Sequence, residues 1–92
     1  MELAKVVGTV VATQKVKELK GFKLLVVKNL NLKGEFTGSF SVAVDVVQAG
    51  IGETVLVTSG SSARQTERTK NKPVDKVIVG IVDSIKVNPE WK

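Results

Sequence analysis

The chain has 92 residues, a net charge of +5, and neither cysteine nor histidine. That length makes one domain, spanning residues 1–92, with a core that buries only about two-thirds of the unfolded surface. Missing cysteine excludes disulfides and thiolate metal sites. Missing histidine removes the commonest general base, the common zinc ligand and the usual pH switch, so catalysis would have to rest on Asp, Glu, Lys or Ser.

Met1-Glu2-Leu3-Ala4-Lys5 lacks the basic start and long apolar core of a signal peptide, and no apolar run approaches the roughly 20 residues that span a bilayer. The expectation is a soluble cytoplasmic protein with no membrane partner. Glu2 to Gln14 reads as a first strand, with Ala4, Val6, Gly8, Val10 and Ala12 on one small, apolar face. Gly8 falls mid-strand, where glycine marks a bulge, a bend or a close backbone approach. Lys15 to Gly21 is a polar link. Phe22 to Leu30 is the second strand, with Phe22, Leu24, Val26 and Leu30 on one face and Leu25 and Val27 on the other.

Asn31 to Ser39, with Gly34 and Gly38, reads as a hairpin connection into a third strand, Phe40 to Val46. There Phe40, Val42, Val44 and Val46 point one way, and Ser41, Ala43 and Asp45 the other. A tight turn over Gln48 to Glu53 leads to a fourth strand, Thr54 to Ser59. Gly60 then makes a corner. Ser62 with Gln65 has the spacing of a capping box, which predicts a short helix starting near Ser62. A polar segment runs from Gln65 to Lys72 and stops at Pro73. Val77 to Val87 reads as a long last strand interrupted by Gly80 and Asp83.

Five strands with glycine-marked bends and one short helix between the fourth and fifth predict an all-β fold, a small OB-like barrel. A barrel of this size needs only its interior face apolar, so Leu25, Val27, Val47, Leu56 and Ile78 read as surplus apolar surface. In a single soluble domain such a surplus points to a protein–protein interface.

Twelve of the fourteen cations are lysines, with loose clusters at Lys15 to Lys23 and Lys70 to Lys76. A basic balance suits nucleic acid, but the aromatic stacking residues that usually accompany it are scarce: Phe22, Phe36, Phe40 and Trp91. A solvated lysine surface is the simpler reading, and an OB-like single-strand-binding module is the rival. Asp45, Asp75 and Asp83 fit turn and cap acceptors better than an acid–base pair, and they lack the spacing of a cation loop. Ser61 and Ser62 have no S-x-x-K partner for nucleophilic work. The Gly60-Ser61-Ser62 loop lacks the phosphate-loop pattern. Arg64 lies just inside the expected helix start, where its charge opposes the helix dipole. That makes a specific carboxylate or carbonyl partner at an interface the better reading.

Six ordered blocks carry a resemblance: Leu3 to Lys15; Lys23-Leu24-Leu25-Val26-Val27; Ala43-Val44-Asp45 with Gly50-x-Gly52-Glu53-x-Val55-Leu56; Ser59-Gly60-Ser61-Ser62-Ala63-Arg64; Pro73-Val74-Asp75; and Val79-Gly80-Ile81-Val82-Asp83. Together they resemble the EutN/CcmL family of bacterial microcompartment vertex proteins, over roughly positions 3 to 85. The resemblance implies an OB-like barrel, a homopentamer at the vertices of a polyhedral shell, hexameric shell proteins as partners, and no enzymatic activity, cofactor or metal. It implies that Gly60, Ser61, Ser62 and Ala63 line a narrow pore on the five-fold axis and that Arg64 joins neighbouring subunits. Gly60 to Thr66 looks more like metabolosome members than carboxysomal ones.

Overall fold

The computed structural model describes residues 1–91. Its strands are β1 (Glu2–Val10), β2 (Lys23–Leu30), β3 (Phe36–Asp45), β4 (Thr54–Ser59) and β5 (Lys76–Ile81), and they close a barrel in the order β1-β2-β3-β5-β4. Closure comes from β1, which pairs antiparallel with both β2 and β4. Among the described residues the one parallel contact joins β3 to β5, through Val44↔Val77 and Asp45↔Ile78. The expected all-β OB-like architecture is therefore present.

Of the bulge, bend or close approach that its place mid-strand offers, Gly8 takes the bulge. The register steps from Val6↔Val27 to Gly8↔Val26, so Val7 is the extra residue and its side chain turns outward. A second irregularity lies between Lys28↔Phe40 and Leu30↔Phe36. It takes in Gly38, whose φ of +98° is a backbone shape that side chains rarely adopt. The strand thus runs through Gly38 and begins at Phe36, so the connection predicted over Asn31 to Ser39 shrinks to a turn. That turn is held by the Asn31 side-chain oxygen, which accepts from Lys33 N and Glu35 N. Residues 31–40 are all exposed, and the hairpin stands clear of the barrel.

The barrel interior is filled by Ala4, Val6, Leu25, Val27, Ala43, Val55, Val57 and Ile78. This reverses the expected facing of several strands. Leu25, Val27 and Ile78, read from sequence as surplus, are the core, with exposures of 1%, 0% and 0%. Val47 packs against that core, and Leu56 lies over Gly80. Pairing decides the facing: Val6↔Val27 and Leu25↔Ala43 put these side chains on the inner face, which sends Val26 and Val42 outward. The apolar surplus exists, but on other residues: Phe36, Phe40 and Val42 are 50%, 70% and 45% exposed.

β1 ends at Val10, four residues before the predicted Gln14, and Val11 is 87% exposed. Likewise β5 ends at Ile81 rather than Val87, although Val82 N still donates to Thr54 O. In both places the neighbouring strand has run out, and an apolar sequence without a partner does not form a strand.

One mouth of the barrel is closed by polar groups that share the interior parity. Glu2 accepts from Asn29 Nδ2 at 2.7 Å and pairs with Lys76 Nζ at 3.0 Å. The Lys76 bond and charge, helped by Asn29, hold the Glu2 carboxyl below its ordinary value. A second apolar cluster packs against the outside of the barrel. It contains Val44, Ala63, Val74 and Val77, with Leu19 and Phe22 from the β1–β2 link laid over it.

Candidate functional site

The loop from β4 to β5 is the most elaborate local structure in the chain. Ser59 leaves β4 in extended geometry, and Gly60 turns at φ +64°, donating its N–H to Asp75 O at 2.9 Å. A 3-10 helix follows over Gly60–Arg64. Its N-cap lies three residues earlier than the capping-box spacing predicts, and the box does not form. Ser59, not Ser62, is the N-cap, with no side-chain bond; Gln65 Nε2 reaches back only to Ser61 O at 3.5 Å. The glycine corner sets this start, because the chain tightens into a 3-10 turn as soon as Gly60 has turned it.

The side chains of this segment divide by burial. Gly60, Ser61 and Ser62 are exposed, whereas Ala63 is fully buried against Val44, Val74 and Val77. Ala63 therefore anchors the loop to the barrel from beneath and presents no surface of its own. Arg64 sits in the last turn of the 3-10 helix rather than the first, so its charge does not oppose the dipole there. Its guanidinium is exposed and donates once within the chain, from Nη1 to Val74 O at 3.1 Å. A planar five-donor group with one bond made keeps donors free for a second partner.

The polar segment after it is tied down by a residue that sequence reasoning missed. Thr69 is 0% exposed. Its hydroxyl donates to Ala63 O at 2.7 Å and lies 2.6 Å from the Thr66 hydroxyl, which must then be the donor in that pair. Thr69 N donates to Thr66 Oγ1 at 3.0 Å. The signal was present as Thr66-x-x-Thr69, a spacing at which threonines bond backbone locally. Asn71 then turns at φ +59° toward Pro73. Ser61, Arg64, Gln65, Thr66, Lys70 and Asn71 border an open cleft beside the 3-10 helix.

The Ser61 and Ser62 hydroxyls form no hydrogen bond with a base, and no group of three potential metal ligands occurs among the described residues. Asp45 has the turn-acceptor role expected of it: Oδ1 accepts from Val47 N at 3.0 Å and Oδ2 from Ala49 N at 2.9 Å. No helix is long and apolar enough to cross a membrane among the described residues.

Known proteins resemble this chain in sequence and in fold. A family model described as ethanolamine utilisation protein EutN/carboxysome matches residues 1–83, and the chain belongs to that family. It is 48% identical to the carboxysome shell vertex protein CcmL of Synechocystis sp., covering 95% of this chain and 87% of that one. It is 51% identical to the bacterial microcompartment shell vertex protein GrpN of Rhodospirillum rubrum, covering 92% and 96%. Among solved structures, the GrpN pentameric microcompartment shell protein of R. rubrum superposes with a TM-score of 0.89 at 49% identity, covering 96% of this chain and all of that one.

Proposed function

We propose that this protein is a non-enzymatic shell component that assembles into a homopentamer at the vertices of a cytoplasmic bacterial microcompartment. The observation that carries the reading is the full-length likeness, in sequence and fold, to a pentameric shell protein. The exposed apolar side chains of β3 support it: Phe36, Phe40 and Val42 belong on a surface that another chain covers. A ring built from identical chains uses two different patches on each subunit and closes when its rotation is a simple fraction of a turn.

In the ring, Gly60, Ser61 and Ser62 form the rim of the axial opening and Ala63 holds that rim to the barrel. Arg64, already bonded to Val74 O, uses its free donors on the neighbouring subunit. The flat facets around each vertex consist of hexameric shell proteins. Identity does not separate carboxysomal relatives from other microcompartment relatives, at 48% and 51%; the Gly60 to Thr66 block favours a metabolosome. The test is native mass spectrometry with sedimentation at micromolar concentration. A five-chain species is the expected result, and monomers or dimers alone refute the reading.

A further inference from the structure

The barrel is closed, yet one strand keeps an open edge. β3 runs for 10 residues and pairs with β2 along that length, but β5 covers its other side only at Val44 and Asp45. From Ser39 to Ala43, beyond the Gly38 irregularity, every second residue turns its N–H and C=O away from β2, toward no strand among the described residues. Such an edge is a template for a further strand, and proteins usually blunt it with charge or proline. This one carries neither: it reads Ser39-Phe40-Ser41-Val42-Ala43, with Phe40 and Val42 turned outward, and a groove continues from Val42 toward Pro73. The chain also holds a strand-type segment without a partner. Val82 N donates to Thr54 O, and after it residues 83–87 make no backbone hydrogen bond among the described residues. Asp83-Ser84-Ile85-Lys86-Val87 nevertheless alternates as a strand does, and it is as long as the open edge.

We infer that residues 83–87 of one subunit add as a strand to the Ser39–Ala43 edge of a second copy of the chain. The inference rests on the ring proposed above and says which two patches that ring joins. Opposed residues of paired strands lie on one face of a sheet, and Ile85 and Val87 stand two apart, as Phe40 and Val42 do. Pairing therefore lays the two exposed apolar pairs together and leaves Ser84 and Lys86 on the side of Ser41. The apolar match also selects the register, since a slip of one residue would set Ser84 and Lys86 against Phe40 and Val42. A subunit's own tail does not reach this edge. β3 and β5 run parallel with Val44 opposite Val77, so the edge lies level with the chain before β5 begins at Lys76. The tail leaves from the other end of β5, at Ile81, and five residues span about 17 Å. Turned straight back along β5, it stops at about the level of Val77, short of Phe40 and Val42. A neighbour must then supply the strand. Contact of tail with edge joins two different patches, as a closing ring requires, through main-chain bonds of the kind that peptides make with open sheet edges.

The chain has no cysteine, so an engineered pair reports the contact without background. The test oxidises two full-length variants, Phe40→Cys/Ile85→Cys and Val42→Cys/Ile85→Cys, one for each register that keeps the apolar pairs together. Opposed residues of paired strands have Cα atoms about 4.5–5.5 Å apart, within disulfide reach. One of the two variants is expected to give a covalent ladder of up to five chains on a non-reducing gel. Separately, Ile85→Asp/Val87→Asp in the full chain is expected to raise the concentration at which the ring dissociates by about tenfold or more, read by dilution and native mass spectrometry. A ring without a ladder in either variant, a disulfide formed within single chains, or an Ile85→Asp/Val87→Asp ring of parental stability would each overturn the inference while leaving the ring itself standing. A parent chain that forms no multi-chain species refutes the ring reading beneath it.

Discussion

Replacing Thr69 by valine removes one oxygen and almost nothing else. The two side chains have nearly the same shape, so no cavity opens and the hydrophobic contribution is kept. What is lost is the hydroxyl that donates to Ala63 O at 2.7 Å and accepts from Thr66. Thr66 is only half-buried and its hydroxyl can turn to water. The Ala63 carbonyl belongs to a fully buried residue and is left without that donor. One net hydrogen bond plus one stranded acceptor puts the loss at about 2 kcal/mol, within the usual range of about 1–3 kcal/mol for an unsatisfied buried group. In a domain of this size that lowers the melting temperature by about 8–16 °C. Thr69→Ser keeps the oxygen and loses one buried methyl, a change of about 1 kcal/mol. The assay is thermal and urea unfolding of parent and both variants at one fixed protein concentration, because assembly makes the midpoint concentration-dependent. If Thr69→Val is as stable as the parent, or more stable than Thr69→Ser, the hydrogen-bond account of this loop is wrong.

Other substitutions probe the remaining elements. Asp45→Ala strands the N–H groups of Val47 and Ala49 and should destabilise by about 2–4 kcal/mol in urea, with Asp45→Asn between it and the parent. Arg64→Ala should leave the unfolding of the single chain within about 1 kcal/mol of the parent, since only the Val74 bond is lost. Dilution followed by native mass spectrometry should nevertheless show a weakened ring; a ring of parental stability removes Arg64 from the interface. Glu2 is held below its ordinary value of 4.5 by Lys76. Its ionised form therefore stabilises the fold above that pH, and the stabilisation disappears as pH falls through the lowered value. Parent and Glu2→Gln should differ near neutral pH and converge in acid, by a small and salt-sensitive amount because the pair is partly exposed.

The chain's own pattern determined the strand count, the barrel class and the exact span of β4, and it marked Gly8 as a bulge, a bend or a close approach, of which the pairing chose the bulge. Those features follow from local facts: β-rich runs, glycines at bends such as Gly38 and Gly60 where φ is positive, and turn residues at fixed offsets. The site loop was legible as a strand, a glycine corner and a short helix, and Asp45 was legible as a turn acceptor. Alternation along a strand, however, gives two faces without saying which points inward. On β2 both faces are apolar, and Leu25 and Val27 became core only because they share a register with Ala43 and Val6. Strand ends were misjudged for a related reason, since Val11 and Val87 continue an apolar pattern after their partners have stopped. Within the loop, burial of Ala63 and Thr69 depends on the barrel wall behind them, which no spacing of residues reveals. The meeting of the β1–β2 link with the segment before β5 is likewise a tertiary fact, because the packing of Leu19 and Phe22 on the Val74 cluster carries one segment to the other.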